Sequence, residues 1–208
     1  MKKIAIIMAA LAFSPAAAWA DTTVAAKIST LGFGIDAAFP VTDSIDARLG
    51  FNTFSYNVNK SSNGTNYSGK LNLGSLAALA DWHPMAGSFR VSGGLMYNNN
   101  KFSLNAVPAA GGVTVGGTFY AGATASSTVV FAKVVPYVGI GWGSSPKDTG
   151  FSFASDIGVM FQGTPRSNVT ATGGVTAASL AQANADLNNS LKNFRYYPVA
   201  SIGIGYTF

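Results

Sequence analysis

Six charged residues could form an interacting set: Asp36, Asp46, Arg48, Arg90, Asp156 and Arg195. Most sit on the polar phase of stretches whose alternate positions are apolar. Ile45, Ala47, Leu49 and Phe51 alternate with Asp46, Arg48, Gly50 and Asn52. Phe89, Val91, Gly93, Leu95 and Tyr97 alternate with Arg90, Ser92, Gly94, Met96 and Asn98. Three acids and three bases gathered in a narrow, poorly hydrated space must pair, because an isolated buried charge is costly. The set would then be either an ion-paired plug or the selectivity constriction of a narrow channel. Catalysis finds less support. His83 is the only histidine and precedes Pro84 in a turn, the place of a turn residue rather than a general base. No cluster of His, Cys and carboxylates has metal-ligand spacing. Gly139-x-Gly141 and Gly203-x-Gly205 alternate with apolar residues and open no helix, unlike nucleotide loops. No enzyme activity, catalytic residue, metal or cofactor is expected.

Composition points to the elements that must position these charges. Only 10% of the 208 residues are charged, against roughly 25% in soluble domains, while 24 are Gly. Cys is absent, so no disulfide staples the fold. Few charges and many aromatics, without a long apolar run, fit strands that show lipid only at every second residue. The net charge of +5 is carried by dispersed Lys and Arg, which argues against nucleic acid as a partner. At the start, Met1-Lys2-Lys3 precedes an apolar run, Ile4 to Phe13, too short to span a bilayer. Ala18-Trp19-Ala20 supplies a small-x-small cleavage pattern, with Ala18 and Ala20 as the small residues. Residues 1–20 are therefore expected to be a cleaved signal peptide, and 21–208 one barrel domain beginning at Asp21.

Period-2 alternation recurs along almost all of that domain. It predicts strands over 24–29, 33–39, 45–52, 67–82, 89–98, 128–142, 151–161 and 194–208. Short turns are expected at 40–44, 83–87 and 144–150, and long connections at 59–66, 105–127 and 164–193. The second long connection holds a small hairpin, 113–120, around Gly116-Gly117. The third holds a short helix, 177–191. A chain that enters and leaves a barrel on one side needs an even strand number, which favours eight. The Thr30-Leu31-Gly32 junction must then be unusually tight, so ten strands or an odd pairing there stay open. The fold class is all-β: a transmembrane, antiparallel, up-and-down β-barrel whose last extracellular loop carries the helix. Phe39, Trp82, Phe89, Trp142, Phe151, Tyr206 and Phe208 lie beside the short turns. Tyr56, Tyr67, Tyr97, Phe102, Phe194 and Tyr196 are expected at the other rim, completing two aromatic belts.

Ile202, Ile204, Tyr206 and Phe208 share one face of the last strand. This alternating segment with its final aromatic resembles the C-terminal signature of bacterial outer-membrane β-barrels. The resemblance implies that the segment is read by the barrel-assembly machinery. Val135-Pro136-Tyr137-Val138-Gly139-Ile140-Gly141-Trp142 is similar to a Pro-Tyr-x-Gly-x-Gly strand of small OmpW- and OmpA-like barrels. Asp81-Trp82-His83-Pro84 with Phe89-Arg90-Val91-Ser92-Gly93-Gly94 resembles the short-turn hairpin of proteobacterial outer-membrane proteins of this size. The likeness spans most of 24–208 and implies a Gram-negative outer membrane. Its lipid, the assembly machinery and periplasmic chaperones would be the partners. It leaves two functions: a structural or surface-interaction barrel, or an OmpW-like, porin-like passage for small solutes, hydrophobic ones included. A small solute or a surface ligand is the further partner these imply.

Overall fold

Strands that bury polar groups inside and show apolar groups outside must pair on both edges, because lipid satisfies no backbone hydrogen bond. A computed structural model describes residues 21–62, 65–85, 87–108, 111–143 and 149–208, and within them this requirement closes a ring. The strands are β1 (Thr23–Ser29), β2 (Gly32–Pro40), β3 (Ile45–Ser62), β4 (Thr65–Trp82), β5 (Phe89–Asn98), β6 (Lys101–Pro108), β7 (Gly112–Val115), β8 (Thr118–Ala121), β9 (Thr124–Val130), β10 (Val134–Trp142), β11 (Gly150–Phe161), β12 (Arg166–Thr172) and β13 (Tyr196–Thr207), with one helix, α1 (Ala177–Leu191), before the last. Eight of them, β1, β2, β3, β4, β5, β10, β11 and β13, form the barrel, every neighbour antiparallel. Thr23↔Thr207 and its successors close the seam between β1 and β13.

The eight-strand expectation holds because the first connection is as tight as parity requires. Ser29 pairs with Gly32, so Thr30 and Leu31 alone make the turn. Gly32 takes φ +103°, a value a side chain would oppose, and an added Cβ would strike the Thr53 carbonyl. The turn folds inward: Leu31 is buried, its amide donating to Ser29 Oγ at 3.1 Å. Tyr197 holds it from across the seam, donating its hydroxyl to the Thr30 carbonyl at 2.7 Å.

The outer wall is apolar where the sequence placed lipid. Ile157 and Ile204 are each 62% exposed, and Leu49, Leu76, Leu95 and Ile202 more than half. Such a continuous apolar girdle belongs in a bilayer rather than in water. Rings gather at its lower edge, where Phe89 packs on Trp142 at 5.4 Å and Phe151 on Tyr206 at 5.0 Å. At its upper edge Phe161 meets Tyr196 edge-on at 5.6 Å. Tyr196 to Tyr206 is roughly 33 Å of strand at about 3.3 Å per residue, or ~25 Å of height at a tilt near 40°. That matches the apolar band of a spanning barrel.

Three strands were not expected. The stretch 105–127 is mostly strand, and the single strand predicted over 128–142 is two, β9 and β10, parted at 131–133. Within 164–193 lies β12 as well as the helix. The cause is the length of β3 and β4. Their register runs unbroken from Ile45↔Trp82 to Ser62↔Thr65, far beyond the band. Above Ser75 the strand β4 leaves β5 and pairs with β6, which pairs with β9, which pairs with β12. A five-stranded sheet thus rises from one side of the barrel. Tyr56, Tyr67 and Phe102 belong to this sheet and not to an upper membrane belt. Register places them on the phase that continues the barrel's inner face.

The β7–β8 hairpin, turning at Gly116 and Gly117 as the sequence indicated, packs on this sheet with α1. Val113, Val115 and Ala123 form their small core, with Leu180 and Ala183 of the helix against it. Thr176 caps α1 by accepting from Ser179 N at 3.3 Å. Tyr120 bonds Ser179 Oγ at 2.8 Å and Thr176 Oγ1 at 3.1 Å, and these bonds, Ser179's first, lower its phenol pKa. Asn184 and Asn188 are one helical turn apart and accept from Val169 N and Ser167 N, each at 2.9 Å. They occupy backbone donors that the edge strand β12 would otherwise expose.

Candidate functional site: the charged lumen

Strand phase, not sequence proximity, brings the charges together. Lys27 on β1, Asp36 on β2, Arg48 on β3, Asp81 on β4, Arg90 on β5 and Asp156 on β11 all point inward and are buried or nearly so. Arg48 is the hub. Its Nη2 donates to Asp81 Oδ1 at 3.0 Å, with Nε 2.8 Å from Oδ2. Nη1 donates to Asp156 Oδ2 at 3.2 Å and lies 3.5 Å from Asp36 Oδ2. Arg90 completes the other side of Asp156, with Nη2 at 2.8 Å and Nε at 3.2 Å from Oδ1. Lys27 Nζ closes on Asp36 at 2.7 Å. Ser92 donates to Asp81 at 2.6 Å, and Ser201 to Asp156 at 3.2 Å. Three cations face three carboxylates, so the cluster is neutral and its members are mutually compensated.

Below it, Asp46 Oδ2 lies 2.9 Å from His83 Nε2, whose Nδ1 meets the Gly87 carbonyl at 3.0 Å. His83 is therefore the turn residue expected, but buried, and it ties the short turn to the lumen wall. Directly above the cluster lies an apolar layer, Leu31, Ala77, Met96, Val135, Tyr137, Met160 and Val199, and one row higher Asn52, Ser75 and Asn98 are buried, Asn52 Nδ2 donating to Ser75 Oγ at 3.1 Å. Tyr137 fits there because Gly139 and Gly158 leave room for its ring; a Cβ on either would strike its hydroxyl. At Gly158 that Cβ would also press the Val138 carbonyl at 2.6 Å. Gly158→Ala is expected to cost about 1–3 kcal/mol, the usual range for overpacking, read as a lower urea midpoint in detergent.

Two small spaces persist in the lumen. One, about 40 Å³, lies among Asp36, Asp46, Asp81, His83 and Arg90; the other, about 20 Å³, lies between the apolar Leu31, Met96 and Val199 and the polar Asn52, Asp156 and Ser201. Arg48 lines both and separates them. At roughly 10–15 Å³ per water, each holds only a few molecules. Among the described residues no group of three or more His, Cys, Asp or Glu could hold a metal ion.

Five of the six charges picked from the sequence face the lumen, and Arg195 does not. It is exposed in the turn before β13, its Nε donating to the Lys192 carbonyl at 3.0 Å. Its position matches the inner phase of β13, but the strand begins one residue later, above the rim. Lys27 and Asp81 were missed. Asp81 shares the phase of Ala77 and Leu79 in the strand predicted over 67–82, so the same phase that found Arg48 and Arg90 could have found it. Ile202, Ile204 and Tyr206 are exposed on the outer face of β13, and Phe208, one residue past its end, is exposed as well. Ala18 and Ala20 lie outside the described residues.

No protein-family model and no curated sequence matches this chain. Solved structures do match in fold. Acinetobacter baumannii CarO superposes with a TM-score of 0.59 at 17% identity, covering 89% of this chain and 97% of that one. CarO2 of the same organism gives 0.59 at 18%, covering 90% and 98%. A major outer membrane protein from Thermus thermophilus scores 0.46 at 15%, covering 90% and 98%. CarO and CarO2 are outer-membrane β-barrels. With its closed ring, apolar girdle and polar lumen, the chain is a β-barrel of the outer membrane.

Proposed function

We propose that this chain is a structural or surface-interaction barrel whose lumen is plugged and which catalyses no reaction. The carrying observation is the position of Arg48, which bonds carboxylates from two other strands and stands between two spaces of about 40 and 20 Å³. A solute crossing this lumen would have to separate charges already compensated, then displace the apolar layer from Leu31 to Val199. The sheet, hairpin and helix above the band supply the surface part of the role. Residues 1–20 serve as a signal peptide cleaved after Ala20. Assembly machinery reads the Ile202–Phe208 face after chaperones carry the chain, and outer-membrane lipid surrounds the girdle.

A second reading rests on the apolar upper lumen: an OmpW-like passage for small, hydrophobic solutes, entering near Leu31, Met96 and Tyr137. The Pro136-Tyr137 strand favours the OmpW- and OmpA-like likeness behind it. Planar-bilayer recording and liposome swelling on the folded chain separate the two. The plugged barrel gives no reproducible conductance steps and no solute-selective flux; either signal would replace it with the transport reading.

A further inference from the structure

The outer end of the molecule is cationic. Lys60, Lys70, Lys101, Lys133, Arg166, Lys192 and Arg195 are exposed there, and Asp186 on α1 is the one acid among the described residues of that end. None of the seven forms an ion pair with a described carboxylate. Three of the seven converge where the apolar girdle ends.

On the outward phase of β3 and β4 the side chains change character at one level. Leu49, Phe51 and Leu76 give way to Thr53, Ser55, Gly74, Asn72 and Lys70. A groove of about 440 Å³ opens at this level, with Phe51 at its apolar edge and Ser55, Asn72, Asn99 and Lys101 at its polar edge. Asn72 pairs with Lys101 and Lys70 with Ser103, so the two ammonium groups stand on adjacent strands, one row apart. Lys133 reaches the same rim: its Nζ donates to Asn99 Oδ1 at 2.6 Å and lies 5.7 Å from the centre of the Tyr97 ring. Farther from the membrane this face carries Asn105, Thr124, Ser126, Thr170 and Thr172, uncharged groups that offer hydrogen bonds, with Val107 among them.

We propose that this groove binds a phosphorylated glycolipid of the outer leaflet, its acyl end against Phe51, its phosphates on Lys70, Lys101 and Lys133, and its sugars on the Ser/Thr/Asn rows. Charge complementarity and the order of the surfaces carry the assignment. Apolar, cationic and hydroxyl-amide zones follow one another outward, as acyl chain, phosphate and sugar do in such a lipid. A soluble anion would explain the lysines but not the apolar edge. The inference rests on the long connections being outside. Protease cleavage within 105–130 on intact cells tests that placement by itself, and binding measured in micelles does not depend on it.

The test is a titration of the folded chain in neutral detergent with fluorescent bis-phosphorylated lipid A, read by anisotropy. Each cation near a charged lipid surface contributes about fivefold in affinity, so Lys70→Gln, Lys101→Gln and Lys133→Gln together should weaken binding on the order of a hundredfold. Dephosphorylated lipid should bind the unaltered chain about as weakly, and inorganic phosphate at equal phosphate concentration should not displace the probe. Lys192→Gln with Arg195→Gln, on another part of the rim, should leave binding unchanged. If the triple variant loses its heat-modifiable migration, Lys101→Gln alone should still cost about fivefold, and replacing all three lysines by Arg should retain binding. Equal affinity of the Gln variants and the unaltered chain overturns the proposal. So does equal loss at Lys192 and Arg195, or displacement by free phosphate.

Discussion

Arg48→Ala is expected to lower the unfolding free energy of the barrel by about 3–5 kcal/mol, the usual cost of removing one partner from a buried ion pair. It should exceed the effect of Arg90→Ala, because Arg48 contacts Asp36, Asp81 and Asp156, whereas Arg90 bonds Asp156 and only approaches Asp81 at 3.8 Å. Without Arg48, Asp81 keeps the Ser92 hydroxyl and the distant Arg90, and Asp36 keeps Lys27. Three carboxylates would then share two cations in a poorly hydrated space. Urea unfolding of the refolded protein, followed by tryptophan fluorescence, measures this. The same variant decides between plug and gate. A plug loses stability and stays closed, since Leu31, Met96 and Tyr137 still fill the lumen above. A gate opens to measurable conductance with little loss of stability. A variant unchanged in both would show that Arg48 does not hold the lumen together.

The strands that touch lipid were legible in the sequence, whereas β6, β9 and β12, which touch none, were not. Lipid demands Ile, Leu or Phe at every second position, and Ile45 to Phe51, Phe89 to Tyr97 and Ile202 to Phe208 carry that demand openly. β6, β9 and β12 face water on one side and a small core on the other. Ala125-Ser126-Ser127 therefore reads as loop composition although it is paired on both edges. Only the long register of β3 and β4 gives those strands a partner, and register is a property of distant segments. The helix over 177–191 was visible because its apolar residues recur at helical spacing. In the lumen, phase found Asp36, Asp46, Arg48, Arg90 and Asp156. Phase alone says nothing of height, and Arg195 shares the phase while standing above the rim.

Height also separates the roles proposed for the last strand. Replacing Phe208 with Ser is expected to slow insertion into the membrane far more than it weakens the folded barrel. In the finished structure the Phe208 ring is about half exposed and meets Tyr206 edge-on at 5.1 Å. Such an aromatic pair is worth about 0.5–1.5 kcal/mol beyond its area. The backbone bonds at the seam, Phe208 N to the Thr22 carbonyl at 3.2 Å and Asp21 N to the Phe208 carbonyl at 3.1 Å, do not depend on the side chain. The outward face of Ile202, Ile204, Tyr206 and Phe208 contributes little that a folded barrel needs beyond lipid contact. A role in recognition during assembly would account for its regularity. Time courses of heat-modifiable migration, with and without assembly machinery in the vesicles, measure the insertion rate; urea midpoints measure stability. A rate that falls only when the machinery is present is the expected result. Equal slowing in bare lipid would reduce Phe208 to an interface anchor, and an unchanged rate in both would remove the segment from assembly altogether.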